Sequence, residues 1–209
     1  MNLRFKMSKR VYISADYSEE DGDRDVVNEL HKWSDDNLHK VKYVDTAQVV
    51  SGSVSSDMDC RACDLKAEFN SQINASSVVI FIIGDKTKSR TAGSLCRRRS
   101  EGEDCDCTPY KQNVNGTVKC KIKGTTYTPR PDEDVGRINN YSYIEHEFKQ
   151  AKKKSKTIII IYNSLNKQSS WLPDYMKCYE NDAFPFWIKN ANDEKVGDYE
   201  SIKQALGYE

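Results

Sequence analysis

Two unbroken apolar runs, Val78-Val79-Ile80-Phe81-Ile82-Ile83 and Ile158 to Tyr162, together with a regular alternation of strand-like and helix-like stretches, predict an α/β domain. Its centre is a mostly parallel five-stranded sheet with helices on both faces. A continuous apolar run is the pattern of a strand covered on both sides, as the middle of a parallel sheet is. Parallel neighbours need crossover connections, and those are right-handed. With 209 residues, 37% hydrophobic and 31% charged, the chain suits one compact domain, 1–209.

Taken in order, Arg10 to Ser14 is a short β-rich run that stops at the polar cluster Asp16 to Asp23, and it reads as the first strand. Val26, Val27, Leu30 and Trp33 recur at helical spacing after it. Val41 to Asp45 is a second strand. A helix follows, with Ser51 to Ser56 offering N-caps and Ala62, Leu65, Phe69 and Ile73 forming one apolar stripe. Cys60 and Cys63 share that helix at i,i+3 rather than opening it as a redox turn. The run Val78–Ile83 ends at Gly84-Asp85, and Ile158–Tyr162 is the fourth strand. Phe184 to Ile188 reads as a fifth, near an edge where Pro185 is tolerated. Helices are expected at about 142–154, 169–177 and 198–207 by the same periodicity.

Residues 86–139 interrupt this rhythm. They hold Cys96, Cys105, Cys107 and Cys120, three of the five prolines and little apolar periodicity, where a crossover loop of a few residues would suffice. The segment reads as a cysteine-rich insertion. Val114-Asn115-Gly116-Thr117 carries a hairpin turn signal, followed by alternating Val118, Cys120 and Ile122, which predicts a β-hairpin arm. Zinc at Cys105, Cys107 and Cys120 would need a fourth ligand, and the spacing is not that of a standard zinc ribbon. Free thiols are the expectation.

Lys+Arg and Asp+Glu number 32 each, so no global field favours nucleic acid or an anionic membrane. No segment approaches the ~20 apolar residues of a membrane span, and MNLRFKMSKRVYISADYS lacks an apolar stretch of secretory length. A cytoplasmic location is expected, and the odd count of seven cysteines fits a reducing compartment.

Ligands of open α/β sheets bind outside the carboxyl ends of the strands. That rule singles out Ser14, Asp16 and Tyr17 after the first strand, Asp45 after the second, and Gly84, Asp85, Thr87 and Ser89 after the third. Hydroxyls and carboxylates so grouped suit a sugar. No GxxxxGK[ST] or GxGxxG stretch is present, which argues against P-loop NTPases and Rossmann dehydrogenases. On the helix near 142–154, Ile144, Phe148 and Ala151 mark the buried face. Glu147 lies about 65° from its centre and Glu145 about 95° away on the other flank, at ~100° per residue. Glu147 is therefore nearer the boundary between core and cleft. His146 is expected to be exposed, and Lys152, Lys153, Lys154 and Lys156 to form a solvated helix end that complements the dipole.

Lys9 to Ser14, then Ile82-Ile83-Gly84-Asp85-Lys86-Thr87 with Ser89-Arg90, then Tyr143-Ile144-Glu145-His146-Glu147 before the strand at Ile158, resemble the bacterial TIR-like family, which includes the TIR protein of Thoeris anti-phage defence. The resemblance covers about 1–90 and 141–165, more loosely to the end. It departs from the family at the 86–139 insertion and at Tyr143, where tryptophan is usual. The resemblance implies a flavodoxin-like TIR fold and cleavage of the nicotinamide–ribose bond of NAD+ with Glu147 catalytic. The ADP-ribose moiety would become a cyclic ADP-ribose-type or related signal nucleotide. It further implies NAD+ as substrate rather than cofactor, lined by Ser14, Asp16, Tyr17, Asp45, Gly84, Asp85 and Thr87. Implied partners are a downstream effector protein, a phage protein trigger and further copies of the chain.

Three other readings share the topology. A non-catalytic TIR-type interaction module would have no need of Glu147. A nucleoside deoxyribosyltransferase-like enzyme would accept free deoxynucleosides and ignore NAD+. A receiver-like domain would use Asp16, Asp85 and Lys189.

Overall fold

The computed structural model describes residues 9–18, 22–35, 41–45, 68–90, 118–119, 126–127 and 142–208. Strands β1 (Lys9–Ser14), β2 (Val41–Asp45), β3 (Val78–Ile83), β6 (Thr157–Tyr162) and β7 (Phe184–Pro185) form a sheet in the order β2-β1-β3-β6-β7. Every pairing in it is parallel. Counted within the sheet the order is 2-1-3-4-5, a flavodoxin-like topology. The two aliphatic runs are neighbours in full register, from Val78 opposite Thr157 to Ile83 opposite Tyr162. All six side chains of β3 are buried, as the lack of alternation requires of a central strand.

Strand alternation sorts these side chains into two cores. Val11, Ile13, Val78, Ile80 and Ile82 face α1 (Arg24–Lys32) and the C-terminal helix. Tyr12, Val79, Phe81, Ile83, Ile160 and Tyr162 face the other layer. That layer holds α2, whose described residues are 68–75, and α3 (Tyr143–Lys153). The stripe residues Phe69 and Ile73 of α2 are buried; Ala62, Leu65, Cys60 and Cys63 lie outside the described residues.

Helix α3 starts at Ser142, whose side chain accepts the Glu145 amide at 2.9 Å, a cap that satisfies one orphan donor. Ile144, Phe148 and Ala151 then press onto β3 and β6, with Phe148 edge-on to Phe81 at 5.5 Å between ring centres. Lys156 differs from the expected solvated end: its Nζ donates to the Asn74 and Ser76 carbonyls at 2.8 and 2.6 Å, pinning the chain beyond α3 to the end of α2.

Two segments depart from expectation. The stretch 169–177 is two 3-10 turns, Ser169–Trp171 and Asp174–Tyr179, because Pro173 brings no N–H and holds Leu172 extended. Phe184 to Ile188 is not one strand. Only β7 joins the sheet, while β8 (Trp187–Lys189) pairs antiparallel with β9 (Lys195–Gly197). Phe186 and Trp187 are adjacent yet both pack into the core on the α1 side, which the alternation of a regular strand does not allow, so the chain turns out of the sheet to seat both. Phe186 stacks on Trp33, whose ring approaches Gly197 so closely that a Cβ there would lie 2.7 Å from it. The last helix, α4, is Tyr199–Ala205, capped by Asp198.

Of residues 86–139, β4 (Val118–Lys119) and β5 (Thr126–Tyr127) pair antiparallel. The connection runs through 120–125, so Asn115-Gly116 precedes the pair instead of joining it. Cys96, Cys105, Cys107 and Cys120 lie outside the described residues. Among the described residues no helix is long and apolar enough to cross a membrane.

Phe148 is the main anchor of α3, and truncation of a buried aromatic costs about 3–5 kcal/mol. Phe148→Ala is expected to lose stability in that range in urea unfolding, against under 0.5 kcal/mol for a change at the exposed Lys149 on the same helix.

Candidate functional site

Glu147 sits one turn after Ile144 and next to Phe148, so packing of that face carries its carboxylate against β1. Tyr12 Oη donates to Glu147 Oε1 at 2.6 Å, and Ser14 Oγ donates to Oε2. Tyr12 and Ser14 are two apart on one strand and so point to the same face. All three are closed off: Glu147 is 2% exposed, and Tyr12 and Ser14 are 0%. Burial raises the Glu147 pKa from 4.5 to about 7, while the hydrogen bonds from Ser14 and Tyr12 pull it down.

Tyr175, on the turn Asp174–Tyr179, packs its ring on Phe148, and its hydroxyl lies 3.5 Å from Ser142 Oγ. Burial raises its pKa first, and the nearby charges of Glu145 and Glu147 raise it further. Tyr175 is therefore a neutral phenol beside the acid.

His146 is buried rather than exposed, with its Nε2 2.9 Å from Asn70 Oδ1. The helical wheel counted only the sheet as a packing surface, whereas α2 covers the side of α3 on which His146 lies. Tyr143 meets the same neighbour, edge-on to Phe69 at 5.6 Å. Glu145 is half-buried and pairs with Lys149 at 2.9 Å.

The other expected site residues scatter. Asp16 lies at the β1 tail, where its Oδ2 accepts Arg90 Nε at 2.5 Å, tying the tails of β1 and β3 together. Gly84 and Thr87 build the turn after β3: the Gly84 amide donates to Thr87 Oγ1 at 2.8 Å, and Thr87 is buried. Asp85 is solvated, and Ser89 Oγ caps the same turn on the Lys86 carbonyl at 3.0 Å. Asp45 is not brought to Glu147. It pairs in register with Ile13, which puts it on the α1 face, where His31 Nε2 contacts it. Tyr17 likewise packs against the core of the α1 face. Lys189 pairs with Asp193 within the β8–β9 hairpin, away from the strand tails a receiver site would use.

A second buried acid, Asp23, is one that sequence reasoning missed as a site residue. It precedes α1 without capping it, and instead accepts Asn163 Nδ2 at 2.9 Å. Its Oδ1 would stand 2.5 Å from a Cβ on Gly84, so any larger residue there would have to displace the carboxylate. Burial raises the Asp23 pKa from 3.8 to about 7. Asn163 in turn accepts Trp187 Nε1 at 2.7 Å, and Lys195 lies 4.0 Å over the Trp187 ring. This chain clasps α1, the tail of β6 and the β8–β9 hairpin on the face opposite Glu147. Among the described residues no group of three or more His, Cys, Asp or Glu could hold a metal.

A carboxyl whose folded pKa exceeds its unfolded value contributes stability below the unfolded pKa and loses it as pH rises through the folded one. For Glu147 that window runs from 4.5 to about 7, a loss of roughly 3 kcal/mol. Glu147→Gln keeps the shape without the charge. Its Tm is expected to exceed wild type by several degrees at pH 8.5, with the gain gone at pH 4; a gain of equal size at both pH values would contradict charge burial as the cause.

The chain matches no protein-family model, no curated protein and no solved structure.

Proposed function

We propose that the chain is a TIR-type enzyme that cleaves the nicotinamide–ribose bond of NAD+, with Glu147 as its catalytic residue. The observation that carries this reading is a single carboxylate, buried on α3 and hydrogen-bonded at the carboxyl end of β1, the edge where open α/β sheets take ligands. Its stability cost fits a group kept for chemistry. The order of residues around it, from the strand ending Ile83-Gly84 to the helix beginning Tyr143-Ile144, supports the TIR assignment.

One carboxylate suffices for this reaction. When the C1′–N bond breaks, its electron pair goes to the pyridinium nitrogen, and nicotinamide departs as a neutral pyridine. No general acid has to protonate it, in contrast to the two carboxyls of most glycosidases. Positive charge develops on the ribose, and an ionised Glu147 stabilises it electrostatically in surroundings of low dielectric. Water, or a nucleophile of the ADP-ribose moiety itself, then captures the ribosyl carbon, giving free or cyclised ADP-ribose. The cyclised product is the signal read by a downstream effector protein, and a phage protein is the trigger.

The experiment is nicotinamide release from NAD+ in lysates of cells expressing wild type or Glu147→Gln, with and without phage infection, and with free deoxynucleosides as a control substrate. Wild type is expected to release nicotinamide and the variant to fall by at least 100-fold. Because Glu147 acts ionised, the rate should rise with pH through about 7. Cleavage of deoxynucleosides instead of NAD+, or undiminished turnover by the variant, would overturn the assignment.

A further inference from the structure

Glu147 has two oxygens, and β1 treats them differently. Tyr12 and Ser14 are two residues apart on the same face of β1, about 6–7 Å along the strand. Ser14 is the last residue of β1, at the carboxyl edge of the sheet, while Tyr12 stands deeper, packed with Ile73, Val79 and Phe148. The carboxylate bridges them, Oε1 to the Tyr12 hydroxyl at 2.6 Å and Oε2 to Ser14. Oε1 thus faces the core, and Oε2 faces the edge.

We infer that Tyr12 is a positioning residue for Glu147: its hydroxyl anchors Oε1 and holds the carboxylate ionised, leaving Oε2, covered by Ser14, as the oxygen that meets the ribose. This rests on the proposed NAD+-cleaving function and assigns that site its orientation. A hydroxyl from the substrate ribose is chemically equivalent to Ser14 Oγ and takes its place on Oε2 without leaving the carboxylate unsatisfied. Tyr12 has no such replacement, since it stands two residues deeper in the strand, within the apolar cluster of Ile73, Val79 and Phe148.

Among the described residues the groups facing the carboxylate are few. Tyr12 and Ser14 come from β1 and Tyr175 from the Asp174–Tyr179 turn; of the β3 and β6 side chains on this face, Phe81, Ile83 and Ile160 are apolar and Tyr162 is a phenol that burial keeps neutral. His146 turns to Asn70 on α2, and Asp23 belongs to the opposite face. Tyr175 stays neutral from pH 5 to 9, its pKa being raised above 10. The phenol hydrogen bond of Tyr12 is therefore a direct control on Glu147, since hydrogen bonding to the ionised form favours that form.

The test is Tyr12→Phe, which removes one oxygen and keeps the ring. Nicotinamide release should show its acid limb moved up by about one pH unit, a loss of about tenfold at pH 6 that closes by pH 9, with KM for NAD+ within twofold. The second measurement needs no activity: Tm against pH for wild type and Tyr12→Phe, each with and without Glu147→Gln. The Tyr12→Phe penalty should grow between pH 5 and 9 when Glu147 is present and be flat with pH in the Gln background; Asp23 titrates equally in all four proteins and cancels. Parallel Tm curves, or an unmoved acid limb in an active enzyme, overturn the inference. If wild type releases no nicotinamide, the proposed function fails, and the four-protein Tm comparison still decides whether Tyr12 controls Glu147.

Discussion

The contact between the Glu147 carboxylate and the hydroxyls of Tyr12 and Ser14 joins α3 to the middle of the sheet, and much of the architecture can be understood as what makes that contact hold. Placing a carboxylate where it is 2% exposed costs free energy unless its oxygens are satisfied. Here each oxygen has a donor, and both donors come from one strand. Among the described residues no cation shifts its pKa; the acid is held by neutral hydroxyls, and burial raises its pKa to about 7. A salt bridge in the same place would have fixed the charge permanently. Hydroxyl donors leave the acid able to exchange partners.

Rigidity around this contact comes from apolar packing. The β3 and β6 strands lie side by side in full register, and Phe148, Ala151 and Ile144 lay α3 across them. Helix α2 closes the flank through Phe69, Asn70 and Asn74, which take Tyr143, His146 and Gln150 of α3. The opposite face carries its own buried acid, Asp23, held by Asn163 and by the absence of a side chain at Gly84. The two acids differ in context. Asp23 is locked into a clasp between three elements, whereas Glu147 is held by two hydroxyls of one strand.

What could be read from the sequence was whatever repeats with a period. The strands around Val79 and Ile160, the helix that presents Ile144, Phe148 and Ala151, and the nearness of Glu147 to the core boundary all follow from spacing alone. What escaped depends on which elements become neighbours. His146 is buried because α2 lies beside α3, and Asp45 leaves the site because parallel register assigns it the face of Ile13. Nothing local to Asp23 marks it as buried, since the residues that enclose it lie 61 and 140 positions away at Gly84 and Asn163. The run Phe184 to Ile188 has strand composition throughout, yet two adjacent buried aromatics split it between two sheets. Tyr12 and Ser14 share one strand, but only Ser14 carries a sequence signal for a site, because a tyrosine inside an apolar run reads as core.

The central claim is that Glu147 is a buried carboxyl titrating near neutrality. The most direct measurement is a carbon-13 NMR titration of the glutamate side-chain carboxyls in wild type and in Glu147→Gln. The account predicts one resonance with a midpoint at about 7 that is missing from the variant. A spectrum in which every glutamate titrates near its ordinary value of about 4.3 would contradict it.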